Sequence, residues 1–348
     1  MKGVRNKIWQ FFLGGGLKLY IFIAWLRKSV FIISLILTSV IGVSVRRILI
    51  TWAFMEINIL LFIPLLRFYS FNQNPHMLRL KYFFIQALAS IVLFIRILFL
   101  NLISSETFII ILFISLSVMW KIGLPPFHGW LFSLIIDLDW SIFFLLASWQ
   151  KVLPFFLVSQ ILFSGYEIFI FLSLLVRVLG SFFQSRIKKL LIFSSIFTGA
   201  WILSSMIITK IMWVLVLVLY STILIFCISL LRKRKIFRKD SENSYLLDQR
   251  GKLHLFLLLL SIAGLPPFMG FFIKLGVLFI LMERIKLFIS ISLIFSSVVI
   301  IFMYSRIFLR TLNIKTISNK NFFRYRDYKN FSFFLIIYLL SPIIIIGL

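Results

Sequence analysis

From Val30 to Leu348 the sequence is a succession of apolar runs about 17–20 residues long, each of which, wound as a helix, reaches across a hydrocarbon core about 30 Å thick. About eleven such runs are present, centred on 29–45, 48–66, 82–100, 107–124, 140–164, 166–184, 190–207, 211–231, 254–276, 287–309 and 331–347. A backbone in lipid has no water to pair with and must satisfy its own hydrogen bonds, which leaves helices or closed barrels. The runs are too long for barrel strands and lack their alternation of apolar and polar residues. Hydrophobic residues make up 62% of the chain and the mean hydropathy is +1.10, against roughly 45–50% apolar in soluble domains. The expected fold is therefore an all-α polytopic membrane protein. No soluble domain fits between the runs, so the chain divides into a basic amphipathic N-terminal arm, 1–28, and a single transmembrane domain, 29–348.

The arm contains no acid and mixes basic residues with Trp9, Phe11 and Phe12. It reads as a helix lying at headgroup depth, with an organelle presequence or a twelfth span at Ile8–Leu26 as the alternatives. The net charge of +27 would suggest nucleic acid in a soluble protein, but here the Lys and Arg residues lie mainly between the spans, and no nucleic-acid partner is expected. Alternating the loops across the membrane puts about 26 basic residues on the side of the N-terminus and about five (Arg46, Arg47, Lys210, Arg284, Lys286) opposite. Basic loops resist translocation, so the N-terminus is expected on the bacterial cytoplasmic or mitochondrial matrix side. The same residues suit anionic headgroups.

Cys227 is the single cysteine and lies inside a span, which excludes an intramolecular disulfide or a cysteine-ligated cluster. His76, His128 and His254 lie far apart in sequence and show no ligand spacing. The Gly14–Gly16 triplet follows no strand and is no nucleotide-binding loop. No cofactor or metal is expected on this chain.

A charged side chain deep in a span costs at least about 2.5–3.5 kcal/mol on insertion scales, so each one needs a reason. Four stand out. Glu56 is mid-span in Trp52-Ala-Phe-Met-Glu56-Ile-Asn58; Lys121 precedes Gly123-Leu-Pro125-Pro126-Phe-His128; Lys151 lies in Ser148-Trp149-Gln150-Lys151-Val-Leu-Pro154; Lys274 follows Gly264-Leu-Pro266-Pro267-Phe-Met-Gly270. A lysine near a span end can instead snorkel to the headgroups, an alternative strongest for Lys151. Arg96 and Arg177 lie within a few residues of span ends and read as snorkelling arginines. Asp137, Asp139, Glu106 and Glu167 read as loop or span-edge charges.

Proline removes a donor and clashes with the carbonyl four residues earlier, so Pro125–Pro126 and Pro266–Pro267 must break or kink their helices. Freed backbone groups at membrane depth are tolerable only where protein or water meets them. The two windows, GLPPFHGWL at 123–131 and GLPPFMGFF at 264–272, resemble each other. Paired interruptions of this kind occur in transporters built from internal repeats and point to the ion path, with packing kinks as the alternative.

Across roughly residues 30–348 the pattern resembles the antiporter-like subunits of respiratory complex I. The motifs that carry the likeness are WAFMEINILLFIPLL at 52–66, KIGLPPFHGW at 121–130, ASWQKVLPFFL at 147–157, RIKKLLIFSSI at 186–196 and GLPPFMGFFIKL at 264–275. The resemblance implies that Glu56 and Lys121 form the ion pair of a first half-channel, Lys151 the central relay and Lys274 the terminal site, with His128 a candidate accessory group. It implies a proton-translocating subunit of a mitochondrial inner-membrane complex, with chains 4 and 4L as neighbours and phospholipids, including cardiolipin, around it. NADH, FMN, iron–sulfur clusters and ubiquinone would serve the complex elsewhere, and conformational or electrostatic coupling from neighbouring subunits would drive this chain. The sequence departs from the family after Ser195-Ile196, where Thr198 stands in place of the usual histidine, and in the longer N-terminal arm. A stand-alone cation/proton antiporter would use the same lysines. A purely structural subunit would leave their cost unexplained.

Overall fold

The computed structural model describes residues 28–68, 75–102, 108–135, 137–161, 165–182, 184, 186–208, 212–233 and 249–313. The arm before Lys28 and the apolar run at 331–347 lie outside the described residues. Among the described residues thirteen α-helices follow one another: α1 Lys28–Ser44, α2 Ile48–Phe68, α3 Pro75–Leu102, α4 Phe108–Ile122, α5 Gly129–Ile135, α6 Trp140–Ala147, α7 Val152–Gln160, α8 Tyr166–Phe182, α9 Ile187–Ile208, α10 Met212–Lys233, α11 Gln249–Ala263, α12 Met269–Glu283 and α13 Leu287–Asn313. Six of the described segments are long and apolar enough to cross a membrane, and Lys28–Ser44, Ile111–Ile122 and Leu253–Ala263 are shorter apolar helices. The chain is a multi-span helical membrane protein.

Helix α9 is the axis of the bundle. Of its apolar window 94% is buried, and it packs on α5, α8, α10 and α12. The outer helices turn large apolar side chains such as Leu60, Ile168, Phe279 and Phe288 outward, as a protein whose solvent is lipid can. The ends of the bundle differ in charge. Asp139, just before α6, lies within electrostatic reach of Lys28, Lys188 and Arg232, so the starts of α1 and α9 and the end of α10 share one end. At the other end Lys286 pairs with Glu167 at 2.6 Å and Arg284 donates to the Ile207 carbonyl.

Both proline motifs separate helices, and they do so with one geometry. α4 stops at Ile122 and α11 at Ala263; Gly123 and Gly264 follow with φ of +76° and +90°. The next amide reaches five residues back in each, Leu124 to Met119 at 3.0 Å and Leu265 to Leu260 at 3.4 Å. This is the Schellman closure that a left-handed glycine permits. The run at 140–164, which reads as one helix in the sequence, is itself divided: a 3₁₀ turn, Trp149–Lys151, joins α6 to α7. Pro154 is the cause, since it falls in the first turn of α7, where a helix needs no internal donor and where the preceding helix cannot continue through it.

Gly264 is constrained twice, by its positive φ and by a neighbour, because a Cβ there would lie 2.8 Å from Lys274 Cδ. A Cβ on Gly129, in contrast, would have nothing within 4 Å of it. We expect Gly264→Ala to destabilise the natively extracted protein by about 1–3 kcal/mol and Gly129→Ala to leave the melting temperature nearly unchanged. Equal melting temperatures for the two variants would contradict the backbone assignment at Gly264.

Candidate functional site

The four interior charges fall at or beside interrupted helices, apart from Glu56, which sits mid-helix on α2. Lys121 is the penultimate residue of α4, just before the first break, and its Nζ lies 2.7 Å from Glu56 Oε1 across 65 residues of sequence. The lysine side chain is 2% exposed and the carboxylate 29%. Lys151, on the 3₁₀ turn, is 4% exposed and donates to the Ser195 carbonyl on α9 at 3.0 Å, so it does not snorkel. Lys274, on α12, donates to the carbonyls of Ile262 and Ala263 at 2.6 and 2.7 Å. Its ammonium also stands 4.6 Å from the Phe197 ring centroid and 5.2 Å from that of Trp201, attractive cation–π distances.

The lysine contacts follow from the prolines. In a continuous helix the carbonyls of Ile262 and Ala263 would accept from residues 266 and 267, but both are prolines without an N–H. Lys274 supplies the two missing donors. At the first break the carbonyls left by Pro125 and Pro126 belong to Lys121 and Ile122. Here a neutral side chain takes over the first of them, Gln86 donating to the Lys121 carbonyl at 3.3 Å, while Trp130 Nε1 donates to the neighbouring Trp120 carbonyl at 3.2 Å. The Lys121 ammonium therefore stays available for Glu56.

A cavity of about 20 Å³ joins two of these sites. Lys121 and Lys151 both line it, with Asn58, Tyr82, Gln86 and Gln150. Asn58 Oδ1 and Gln150 Nε2 are buried in its wall with no hydrogen-bond partner among the described residues. One is an acceptor and the other a donor, the pair of demands that one water meets. His128 lies within the first break, edge-on to Phe132 with ring centroids 5.9 Å apart, and is not part of this cavity's lining.

A multi-span bundle with lysines set at helix breaks defines an antiporter-like membrane subunit. Residues 46–301 match the family described as NADH:quinone oxidoreductase/Mrp antiporter, TM, and the chain belongs to that family. The NADH-ubiquinone oxidoreductase chain 2 of Anopheles gambiae is 34% identical over 255 residues, 71% of this chain and 74% of that one. The chain 2 of Artemia franciscana is 35% identical over 223 residues, 64% and 70% of the two chains. Among solved structures, a chain of respiratory complex I from Thermus thermophilus with bound aureothin shares the fold with a TM-score of 0.68 at 19% identity, over 88% of this chain and 78% of that one. A chain of the Mrp complex from Dietzia sp. DQ12-45-1b does so with a TM-score of 0.62 at 15% identity, over 78% and 59%.

Arg177 corrects the sequence expectation. It does not snorkel: it is fully buried on α8 and donates to the Tyr304 hydroxyl on α13 at 2.9 Å and to the Leu190 carbonyl on α9 at 3.2 Å. The signal is in the spacing, because Ile170, Ser173, Leu174, Arg177 and Ser181 recur every three or four residues and form the buried face of α8. A hydrogen bond to a charged group contributes about 1.5–3 kcal/mol, so Tyr304→Phe should lower stability by about that amount while conserving shape. A melting temperature equal to that of the parent protein would show that the Arg177–Tyr304 bond contributes nothing.

Proposed function

We propose that the chain is a proton-translocating membrane-arm subunit of respiratory complex I in the mitochondrial inner membrane. Glu56 and Lys121 would form its charge switch, Lys151 its central relay and Lys274 its terminal site. The observation that carries this reading is the shared cavity: Lys121 and Lys151 open onto one small space beside the Glu56 pair, walled by polar groups that a water would satisfy. Ordered water and interior amines are the parts a proton path needs, and a carboxylate 2.7 Å from one amine gives that amine two states, paired and unpaired. Drawing Glu56 away would make the Lys121 ammonium an unpaired interior cation, which is relieved when its proton passes to the cavity water and on toward Lys151. Lys274, held by two carbonyls, would receive or release protons at the far end of the row.

The energy comes from outside the chain. The named relatives are chains of NADH-ubiquinone oxidoreductase, and in this reading NADH, FMN, iron–sulfur clusters and ubiquinone do their chemistry in other subunits. Chains 4 and 4L are its proposed neighbours, and the basic end of the bundle faces the matrix together with the N-terminus, against anionic lipids such as cardiolipin. Residues 29–348 form a single transmembrane domain in this reading and residues 1–28 an interfacial arm. Protease added to the matrix face of inverted inner-membrane vesicles should cut the 234–248 segment; cleavage only from the opposite face would reverse the orientation.

The functional test is a double-mutant cycle on assembled complex in reconstituted vesicles, with pumping measured against electron transfer. Glu56→Gln and Lys121→Met should each lower the protons moved per electron pair. If the two act as a unit, the double variant should lose far less than the sum of the single losses. Full pumping by either single variant, or strictly additive losses, would make the pair structural. Native mass measurement after mild extraction addresses the stand-alone antiporter: a complex of many chains supports the present reading and a lone chain overturns it.

A further inference from the structure

A second cavity, of about 30 Å³, lies where α9, α10, α11 and α12 meet, and Thr198, Trp201, Tyr220 and Lys274 are in its wall. Two of these carry buried polar atoms that make no hydrogen bond of ordinary geometry among the described residues, Trp201 Nε1 and the Tyr220 hydroxyl, the latter close to the Ser194 and Ser195 side chains. Their side chains belong to residues only 1% and 4% exposed. A buried indole N–H and a buried phenol each require a partner, and native interiors leave such groups unpaired only rarely. The space exceeds the roughly 10–15 Å³ that one water needs in this measure.

The other two groups complete a water's coordination. Lys274 commits two of its three N–H donors to the carbonyls of Ile262 and Ala263. The third has no carbonyl among those bonds and its side chain lines the cavity. Thr198 spends its hydroxyl proton on the Ser195 carbonyl at 3.2 Å, which leaves its oxygen lone pairs as acceptors. That same carbonyl accepts from Lys151, so Thr198 and Lys151 meet on one atom. Tyr220, which can both donate and accept, stands next to Ser194, Ser195 and Tyr304.

We propose that this cavity is a water site built by Trp201, Thr198, Tyr220 and Lys274, and that Tyr220 is a relay hydroxyl between that water and the Ser194–Ser195 segment of α9. The proposal rests on the proton-translocating reading above and extends it by a residue and a site. Lys274 passes a proton to the water, and the water passes one of its own to the Tyr220 oxygen as Tyr220 gives up its proton to a serine hydroxyl. That serine releases its own proton toward an unprotonated Lys151, whose amine lies on the Ser195 carbonyl. One proton has then left Lys274 and one has reached Lys151, the water and each hydroxyl are neutral again, and rotation of those groups back to their starting bonds readies them for the next transfer. Trp201 is a positioning residue here: its N–H fixes the water and takes no proton.

The test uses intact complex. A density map of the parent complex that resolves other interior waters should contain one within hydrogen-bonding distance of Trp201 Nε1 and the Tyr220 oxygen, and the map of Trp201→Phe should lack it. Tyr220→Phe should assemble, transfer electrons and pump roughly two- to tenfold more slowly, the factor that one hydrogen bond is worth. An empty cavity in the parent map overturns the site. Full pumping by Tyr220→Phe, alongside impaired pumping by Glu56→Gln, overturns the relay while sparing the Glu56–Lys121 reading; full pumping by both variants removes that reading and the relay with it. Should Tyr220→Phe fail to assemble, the parent and Trp201→Phe maps decide.

Discussion

Backbone carbonyls deprived of donors organise this protein. In lipid an unsatisfied carbonyl cannot turn to bulk water, so a proline inside a spanning segment creates a demand that neighbouring groups can meet, as side chains do at both paired-proline breaks. Pro266 and Pro267 free the carbonyls of Ile262 and Ala263, and Lys274 reaches back across the break to take both. The lysine answers a structural need and is itself stabilised, because the last carbonyls of a helix carry the negative end of its dipole. That reciprocity explains how a cation is kept inside an apolar bundle without a carboxylate among its described partners. It also explains Gly264, since any larger residue would occupy the space through which the lysine passes.

The first break solves the same problem differently, and the difference separates the chemistry of the two halves. Gln86, which is neutral, serves the Lys121 carbonyl there, with Trp130 on the adjacent Trp120 carbonyl. Lys121 is thereby released from backbone duty and pairs with Glu56. A lysine clamped by two fixed carbonyls has one dominant arrangement, whereas a lysine facing a carboxylate on another helix has a partner that can move. The carboxylate-paired lysine, the switch of the proposed function, therefore lies in the first half of the chain and the carbonyl-held one in the second, although GLPPF is written identically in both.

The features legible in the sequence are those with a large, local energetic signature. Charge in lipid is so costly that Glu56, Lys121, Lys151 and Lys274 stand out one at a time, and paired prolines announce broken helices without reference to anything distant. The same cost says that Glu56 and Lys121 each need a partner; that they partner each other is what the family resemblance implies. What stays hidden depends on packing across elements. Arg177 reads as a snorkelling residue when its distance from a span end is weighed and the serine-bearing face of α8 is not. The 3₁₀ turn at Lys151 escapes because Pro154 is an ordinary first-turn residue once α7 is known to begin at Val152. The two cavities have no sequence signature at all: Asn58, Gln150, Trp201 and Tyr220 come from four different segments, and only their assembly leaves polar atoms facing enclosed space.

The exposure of the ion pair bears on how such a chain can be driven. Lys121 is sealed within the bundle, but Glu56 reaches its surface, flanked on α2 by the outward-facing Ile57 and Leu60. The apolar surroundings of that carboxylate are thus completed by whatever packs against α2. Two unit charges 4 Å apart attract by about 1 kcal/mol in bulk water and by about 4 kcal/mol in the less polarisable surroundings near a protein surface. Covering or uncovering Glu56, or bringing a second charge to it, changes the strength of its hold on Lys121 without moving the lysine. In the proposed reading, a neighbouring subunit that packs against α2 could set the pair in this way, and the interior row of amines would respond to an event outside the chain.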